Sequence, residues 1–196
     1  MTKARAFNPK DALLAPNSGV IFMKVGNHAQ ETLDDIVRRK RKELDDAGVI
    51  YWGYGGSTCH PLTVVKPYAD RLERAGHVIH LLMEPMDSKH FAEPALAEEY
   101  SDDGVKWKPI PRGVHVRGSR YALVLDSFDE QTLDLDLSQL RVAIGACQGR
   151  PASEYVKGRV DKGCFVVDPS LRPADLPPKH IGLIASVRSP YAVLLR

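Results

Sequence analysis

The segment from Trp52 to Pro61, which reads WGYGGSTCHP, holds the densest group of ligand-binding and reactive side chains in the sequence. Its three glycines let the backbone approach a ligand closely, and successive exposed N–H groups can hold an anion. The segment has neither the Gly-Lys-Ser/Thr ending of a phosphate loop nor the G-x-G-x-x-G spacing. We predict a ligand-binding turn, with a tight connection between core elements as the alternative. The predicted ligand contacts in the turn are Trp52, Tyr54, Gly55, Gly56, Ser57 and Thr58.

Cys59 and two histidines are the candidate catalytic residues. A thiol becomes a nucleophile when a base takes its proton, and His28 is the expected base for Cys59. His60 is a poor partner for Cys59, because neighbouring side chains in an extended segment point to opposite sides. An enzyme would therefore use Cys59, or else His28 and His60 together. The structural alternative is a buried thiol that packs as a small apolar group.

No metal and no cofactor are predicted. The three cysteines at positions 59, 147 and 164 are widely spaced, and no zinc-motif spacing occurs among the cysteines and histidines. A metal site built from His28, Glu31 and either Cys59 or His60 is an alternative that rests on spatial proximity alone.

The charge balance restricts nucleic-acid binding to local patches. Lys and Arg number 27 against 25 for Asp and Glu, so the formal charge is only +2. The basic run at 38–42 is typical of a solvated helix face. The glycine-rich stretch from Gly145 to Gly163 carries Arg150, Lys157 and Arg159, which are predicted to contact phosphate. Two hairpin turns with exposed charges are the alternative for this stretch.

The first half of the sequence predicts alternating strands and helices. Val20–Val25 is short, apolar and β-prone, and a helix is expected to follow, with Asn27 as its N-cap, Gln30 as the capping-box partner and Gly48 at its end. The next strand is predicted over Val49–Trp52.

This strand–helix–strand unit positions the candidate site. A crossover connection normally makes its two strands parallel, so that their C-terminal loops lie on one edge. We therefore expect His28 and Glu31 to approach Thr58, Cys59 and His60.

The remainder predicts one α+β domain. A second helix is expected over 67–75, with Pro67 at its start, and a third strand over 77–83. The second half is mostly β, and Leu133, Leu135 and Leu137 alternate with aspartates as in a strand with one wet face. We predict a flexible arm over residues 1–18 and a single domain over 19–196, with a mixed, mainly β sheet and two N-terminal helices. Further strands are expected at 114–116, 121–125, 141–144, 164–167 and 181–187.

Cysteine usage and hydropathy predict a cytoplasmic protein without a membrane partner. Three widely spaced cysteines do not form a disulfide framework, which favours a reducing compartment. The N-terminus has no secretory apolar region, and no run approaches the roughly 20 apolar residues of a spanning helix.

The first 85 or so residues resemble the PUA-like superfold, which includes EVE, YTH and ASCH domains. The resemblance lies in an early strand with a lysine (IFMKVG), a tryptophan-bearing strand (IYWGYGG) and a short helix running into a strand (YADRLERAGHVIHLLM). It implies an open, mixed barrel and recognition of a modified or flipped nucleotide, with the aromatics beside the glycine turn forming the pocket. The lysine of the first motif, Lys24, is included among the predicted ligand contacts.

These features lead to one principal function and two alternatives. The glycine–aromatic turn and the basic loop predict a module that binds a nucleotide or nucleic acid. The alternatives are a small transferase or hydrolase, and a non-catalytic regulatory protein whose protein partner the sequence does not identify.

Overall fold

Strands dominate the structure, a computed structural model that describes residues 15–16, 18–55, 62–88, 94–157, 160–171 and 177–196. Its helices are α1 (Leu33–Ala47), α2 (Leu62–Arg74) and the short α3 (Ala152–Tyr155), and a 3-10 turn covers Leu137–Gln139. Its strands are β1 (Gly19–Val25), β2 (Ile50–Gly55), β3 (Ile79–Pro85), β4 (Glu99–Ser101), β5 (Lys108–Pro109), β6 (Tyr121–Leu125), β7 (Asp129–Leu135), β8 (Leu140–Val142), β9 (Lys162–Val167) and β10 (Lys179–Leu195). The predicted α+β class is confirmed. The predicted arm lies almost entirely outside the described residues.

The strands form one mixed sheet that does not close. Its hydrogen-bonded order is β2-β6-β10-β3-β1-β9-β8, and β4 and β7 also pair with the long strand β10. Only the β1–β3 pair is parallel among the described pairs. The strand–helix–strand unit around α1 forms, but β1 and β2 are not neighbours, because β6, β10 and β3 lie between them in the sheet.

Helix α1 begins later than the sequence predicts. Thr32 is its N-cap, with the side-chain oxygen accepting a hydrogen bond from the N–H of Asp35 at 3.2 Å, so the predicted Asn27 cap is wrong. Asn27 contributes from further away, since its Oδ1 accepts from the N–H of Leu33 at 3.1 Å. The predicted end is confirmed, because Gly48 adopts φ 66° and its N–H reaches the carbonyl of Leu44.

Helix α2 contains the proline that the sequence places at its start. Pro67 lies inside Leu62–Arg74, where it removes one backbone hydrogen bond. The apolar face of the helix outweighs this loss, because Val65, Tyr68, Ala69 and Leu72 are all buried in the main core. No helix in the described residues is long and apolar enough to cross a membrane.

The second half follows the predicted strands in part: β8 covers Leu140–Val142 rather than 141–144, Leu137 lies in the 3-10 turn, and β4 and β5 match no predicted strand. β6 matches the predicted 121–125, and in β7 Leu133 and Leu135 are buried while Asp134 is exposed. Residues 114–116 form a loop rather than a strand, although Val114 and Val116 are buried. The stretch from 145 to 163 begins with a turn closed by the antiparallel bridge between Arg141 and Pro151, and then continues into α3 and, in its last described residues, the start of β9.

Side-chain alternation along β1 divides the protein into two main cores. Ile21 and Val25 face the core that contains α1 and α2, and Met23 packs against it. Val20 and Phe22 face a second core on the other side of the sheet. The end of β1 therefore presents Met23 and Val25 to the same interior as the inward residues of β2.

Candidate functional site

A cavity of about 420 Å³ lies where β1 and β2 end, beneath the first turns of α1. This volume is within the range of small-molecule binding sites. Four stretches provide most of its wall: residues 23–29, the inward face of α1 from Leu33 to Lys40, Trp52–Gly55, and the loop 115–119 that leads into β6. The C-terminal ends of β1 and β2 both border the cavity, but the predicted parallel arrangement is wrong, because the strands are separated in the sheet and the pairings between them give β2 the direction opposite to β1.

The cavity brings together the described residues of the two predicted strand-end segments. His28, Glu31, Trp52, Tyr54 and Gly55 all line it. The remaining residues of the glycine-rich turn, namely Gly56, Ser57, Thr58, Cys59 and His60, lie outside the described residues. The pairing of Cys59 with His28 therefore stays a prediction.

Two of the three aromatic residues of β2 form a buried wall of the cavity. Trp52 is 5% exposed and packs on Phe128 with ring centroids 5.5 Å apart, and Tyr54 is 1% exposed. They face the cavity because alternate residues of β2 point to the main core. Because both side chains are buried, a flat ligand in the cavity would contact only the small part of each ring that borders the cavity.

Lys162 is a site residue that no sequence pattern indicates. Its ammonium group lies 5.7 Å from the centroid of the Tyr54 ring, a cation–π distance. Pairing between β1 and β9 sets Lys162 opposite Met23, on the face that borders the cavity. The predicted ligand contact Lys24 also borders the cavity, but alternation directs its side chain to the opposite face, where Glu84 is its register partner on β3.

A tight turn from His28 to Glu31 forms one rim of the cavity. Its end residues exchange two backbone hydrogen bonds, 3.0 Å from the N–H of His28 and 2.9 Å from the N–H of Glu31. The two central residues both have left-handed conformations, with φ 53° at Ala29 and φ 65° at Gln30. Neither is glycine, so the turn is strained.

An arginine of α1 joins this turn to the loop on the facing side of the cavity. Arg39 donates two hydrogen bonds to the carboxylate of Glu31, at 2.9 and 2.7 Å, and one to the carbonyl oxygen of His115 at 3.0 Å. This bidentate contact with Arg39 lowers the pKa of Glu31. The ionised Arg39–Glu31 pair therefore holds the turn at a set distance from the loop that contains His115.

A buried ion pair lies directly behind this contact. Lys40 is 4% exposed and Glu43 is 1% exposed, and the Lys40 ammonium donates to Glu43 at 2.8 Å. The same ammonium donates to the carbonyl oxygens of Tyr51 at 2.7 Å and His115 at 2.8 Å. Burial lowers the pKa of Lys40 to about 8, against the opposing effect of Glu43.

The basic run of α1 thus has two different faces. Arg38, Arg41 and Lys42 are exposed and form surface ion pairs with acidic residues, as predicted for a solvated face. Arg39 and Lys40 turn inward. The signal was present in the spacing, because Lys40 follows Ile36 by four residues and so falls on the apolar stripe of the helix.

The charged residues that border the cavity are predominantly basic. They are Lys24, Arg39, Lys40, Arg117 and Lys162, against Glu31 and Asp161. This count overstates the positive charge that a ligand would meet, because Lys24 points to the other face of the sheet and because Arg39 and Lys40 form ion pairs with Glu31 and Glu43. The inward carboxylate of Glu31 is already bound by Arg39, which reduces its repulsion of an anion.

The predicted basic loop lies away from this cavity. Arg150 is exposed and lies 3.9 Å from Glu154, and Lys157 borders a separate cavity of about 200 Å³ together with Lys179. Arg159 lies outside the described residues. Among the described residues of the same glycine-rich stretch, Asp161 and Lys162 reach the main cavity.

Comparison with protein-family models, with curated proteins and with solved structures finds no match for this chain. Within the described residues, no group of three or more histidines, cysteines or carboxylates is arranged to hold a metal ion. The chemistry of the cavity is therefore the basis for a functional conclusion.

Proposed function

We propose that the protein is a nucleotide- or nucleic-acid-binding module that takes a base into the cavity between the ends of β1 and β2. The observation that carries the proposal is the cavity wall itself, in which Trp52 and Tyr54 stand beside Lys162. Aromatic side chains hold an unstacked base, and a cation at the rim holds the attached phosphate.

The shape of the sheet supports the same proposal. The sheet does not close, since its order runs from β2 at one end to β8 at the other, and the cavity is bordered by the ends of β1 and β2, which do not pair with each other. We propose that this arrangement is a PUA-like open barrel and that its ligand is a modified or flipped nucleotide. The widely spaced cysteines support a reducing, cytoplasmic setting for this function.

Titration of labelled oligonucleotides tests the proposal. Single- and double-stranded oligonucleotides, each with and without modified bases, are titrated with micromolar protein at 50 and 200 mM salt. We expect binding that weakens as salt increases, because phosphate contacts release counterions. If none of the oligonucleotides shows salt-sensitive binding, the proposal is contradicted.

A small transferase or hydrolase is the second candidate, because His28 lies in the cavity. A methyl group placed on Gly118 would lie only 3.3 Å from Nε2 of His28, so this ring packs closely against the loop that precedes β6. In this version Cys59 is the nucleophile and His28 the base. Thiol labelling across pH separates the two candidates, since an ordinary slow Cys59 argues against the nucleophile and a depressed pKa favours it.

A further inference from the structure

The turn from His28 to Glu31 places the backbone N–H of a buried residue, Ala29, at the edge of the cavity. Ala29 is 6% exposed and lines the cavity. Within the described part of the chain, its N–H donates no hydrogen bond, whereas the N–H groups of His28 and Glu31 bond to each other's carbonyls. A buried backbone donor is costly unless an acceptor is supplied.

We propose that the N–H of Ala29 donates a hydrogen bond to the ligand in the cavity, and that Glu31 and Arg39 are the positioning residues that hold it there. This inference rests on the proposed nucleotide function. It defines the ligand more closely, as a planar heterocycle that presents a ring nitrogen or carbonyl oxygen to the turn. The aromatic wall at Trp52 and Tyr54 then contacts the rest of the base.

The backbone conformation explains why the turn needs positioning residues. Ala29 and Gln30 are both held in left-handed conformations that residues with a Cβ disfavour. Strained backbone of this kind persists only where surrounding contacts hold it, and it is concentrated at ligand sites. Two hydrogen bonds within the turn are supplemented by two from Arg39 to Glu31.

Arg39 also sets the distance from the turn to the opposite rim. Its guanidinium reaches Glu31 on one side and the carbonyl of His115 on the other, and a further hydrogen bond to Glu43 at 2.9 Å anchors it to α1. A lysine at this position keeps the charge but loses the planar fork that makes several directed contacts at once. Arg39→Lys is therefore the variant that loosens the turn while preserving the charge of the site.

Amide hydrogen exchange tests the positioning role without a ligand. In Arg39→Lys we expect the N–H groups of His28 and Glu31 to exchange about tenfold faster than in the wild-type protein, because the turn opens more often. The matched control is Arg38→Lys, one residue earlier on the exposed face of α1, where exchange at both amides stays unchanged. Equal exchange in the two variants would overturn the positioning role.

Binding of small nucleotides tests the ligand contact. The probes are AMP, GMP, CMP and UMP, with ribose 5-phosphate as the probe that lacks a base. We expect Arg39→Lys to weaken binding of the best nucleotide about tenfold, the equivalent of one hydrogen bond, and to leave any binding of ribose 5-phosphate unchanged. Arg38→Lys should bind all probes as the wild-type protein does.

The outcomes separate this inference from the function on which it rests. If the wild-type protein binds neither these nucleotides nor the oligonucleotides, the proposed function and the Ala29 contact both fail. If a nucleotide binds the wild-type protein and Arg39→Lys with equal affinity, the inference fails and the proposed function stands. If Arg39→Lys weakens ribose 5-phosphate as strongly as the nucleotide, the turn does not contact the base and the inference is again overturned.

Discussion

The ammonium of Lys40 lies 2.8 Å from a carboxylate oxygen of Glu43, and both side chains are buried on α1. Each member of the pair also makes a hydrogen bond to another element. The ammonium donates to the carbonyl oxygen of Tyr51 on β2, and the carboxylate accepts from the N–H of His115 at 3.1 Å. Helix α1, strand β2 and the loop before β6 are joined at this point. These are three of the elements that surround the cavity.

Glu43→Gln should destabilise the protein by about 3 kcal/mol, because it leaves a buried ammonium without its counter-charge. Urea unfolding followed by circular dichroism measures this change. The control is Asp46→Asn, which removes the exposed partner of Lys42 from the same helix and should change stability much less. Similar losses in both variants would show that the buried pair has no special role.

The low pKa of Lys40 predicts a defined pH dependence of stability. Burial lowers this pKa from the ordinary 10.5 to about 8, so between these pH values the unfolded chain binds a proton that the folded protein has released. The free energy of unfolding should therefore rise with pH in this window, by up to about 1.4 kcal/mol per pH unit from this group. Below pH 8 both states carry the proton, and the contribution no longer changes.

Lys40→Met isolates this contribution from that of other titrating groups. As pH rises from 8 to 10, the unfolding free energy of the wild-type protein should increase relative to that of Lys40→Met. Urea titrations at closely spaced pH values give this difference. A difference that stays constant over the window would mean that folded Lys40 keeps its proton up to the ordinary pKa.

The sequence predicts the elements around the site better than it predicts their contacts. The crossover rule places His28 and Glu31 near the end of β2, but its premise of two parallel strands is wrong, because the pairings give β2 the direction opposite to β1. It does not reveal that β6 and β10 insert between the two strands, since those pairings join residues far apart in sequence. Lys162 enters the site through such a pairing, and nothing in its local sequence separates it from the other basic residues of its stretch.

Local conformation limits the prediction in a second way. Asn27 is a favourable N-cap residue, and propensity alone places the start of α1 there. The actual cap is Thr32, because residues 28–31 form a turn with two left-handed residues. Ala29 and Gln30 lack the glycine or asparagine signal of such a turn, so the rim of the cavity is invisible to sequence patterns.

Lys162→Gln should weaken oligonucleotide binding about five- to tenfold and reduce the salt slope by about one, if Lys162 contacts a phosphate. The matched control is Lys108→Gln, because the Lys108 ammonium lies 5.9 Å from the Tyr100 ring centroid, in the same relation as Lys162 to Tyr54 but outside the cavity. Fluorescence anisotropy at several salt concentrations measures both variants. If both variants weaken binding equally, Lys162 contributes only as one of the surface charges and does not contact the ligand.

Gly118→Ala should destabilise the protein and distort the cavity rim. Its φ of 65° is unfavourable for alanine, and the new methyl group would lie 2.8 Å from Pro94 and 3.3 Å from Nε2 of His28. We expect a loss of about 2–3 kcal/mol, of which roughly 1–2 comes from the backbone and the rest from overpacking. Gly145→Ala is the control, because its φ is 80° and no atom lies within 4 Å of the added methyl.

The two glycine variants differ mainly in this steric contact. Gly145→Ala should show only the backbone cost, about 1–2 kcal/mol, and no change in nucleotide affinity. Thermal unfolding and nucleotide titration of both variants provide the comparison. If the two alanines cost the same and neither changes affinity, the loop at Gly118 has room to move and does not define the rim.

Gln30→Gly should have the opposite effect and stabilise the protein. Gln30 is exposed with φ 65°, a conformation that glycine adopts without strain, so the substitution should add roughly 0.5–1 kcal/mol after the entropy of the unfolded chain is included. Gln131→Gly is the control, because Gln131 is exposed on strand β7, where glycine is unfavourable and stability should fall. Urea unfolding of the two variants should therefore give changes of opposite sign. A loss of stability in both would mean that the turn is not strained at Gln30, and that Glu31 and Arg39 hold a conformation the chain adopts readily by itself.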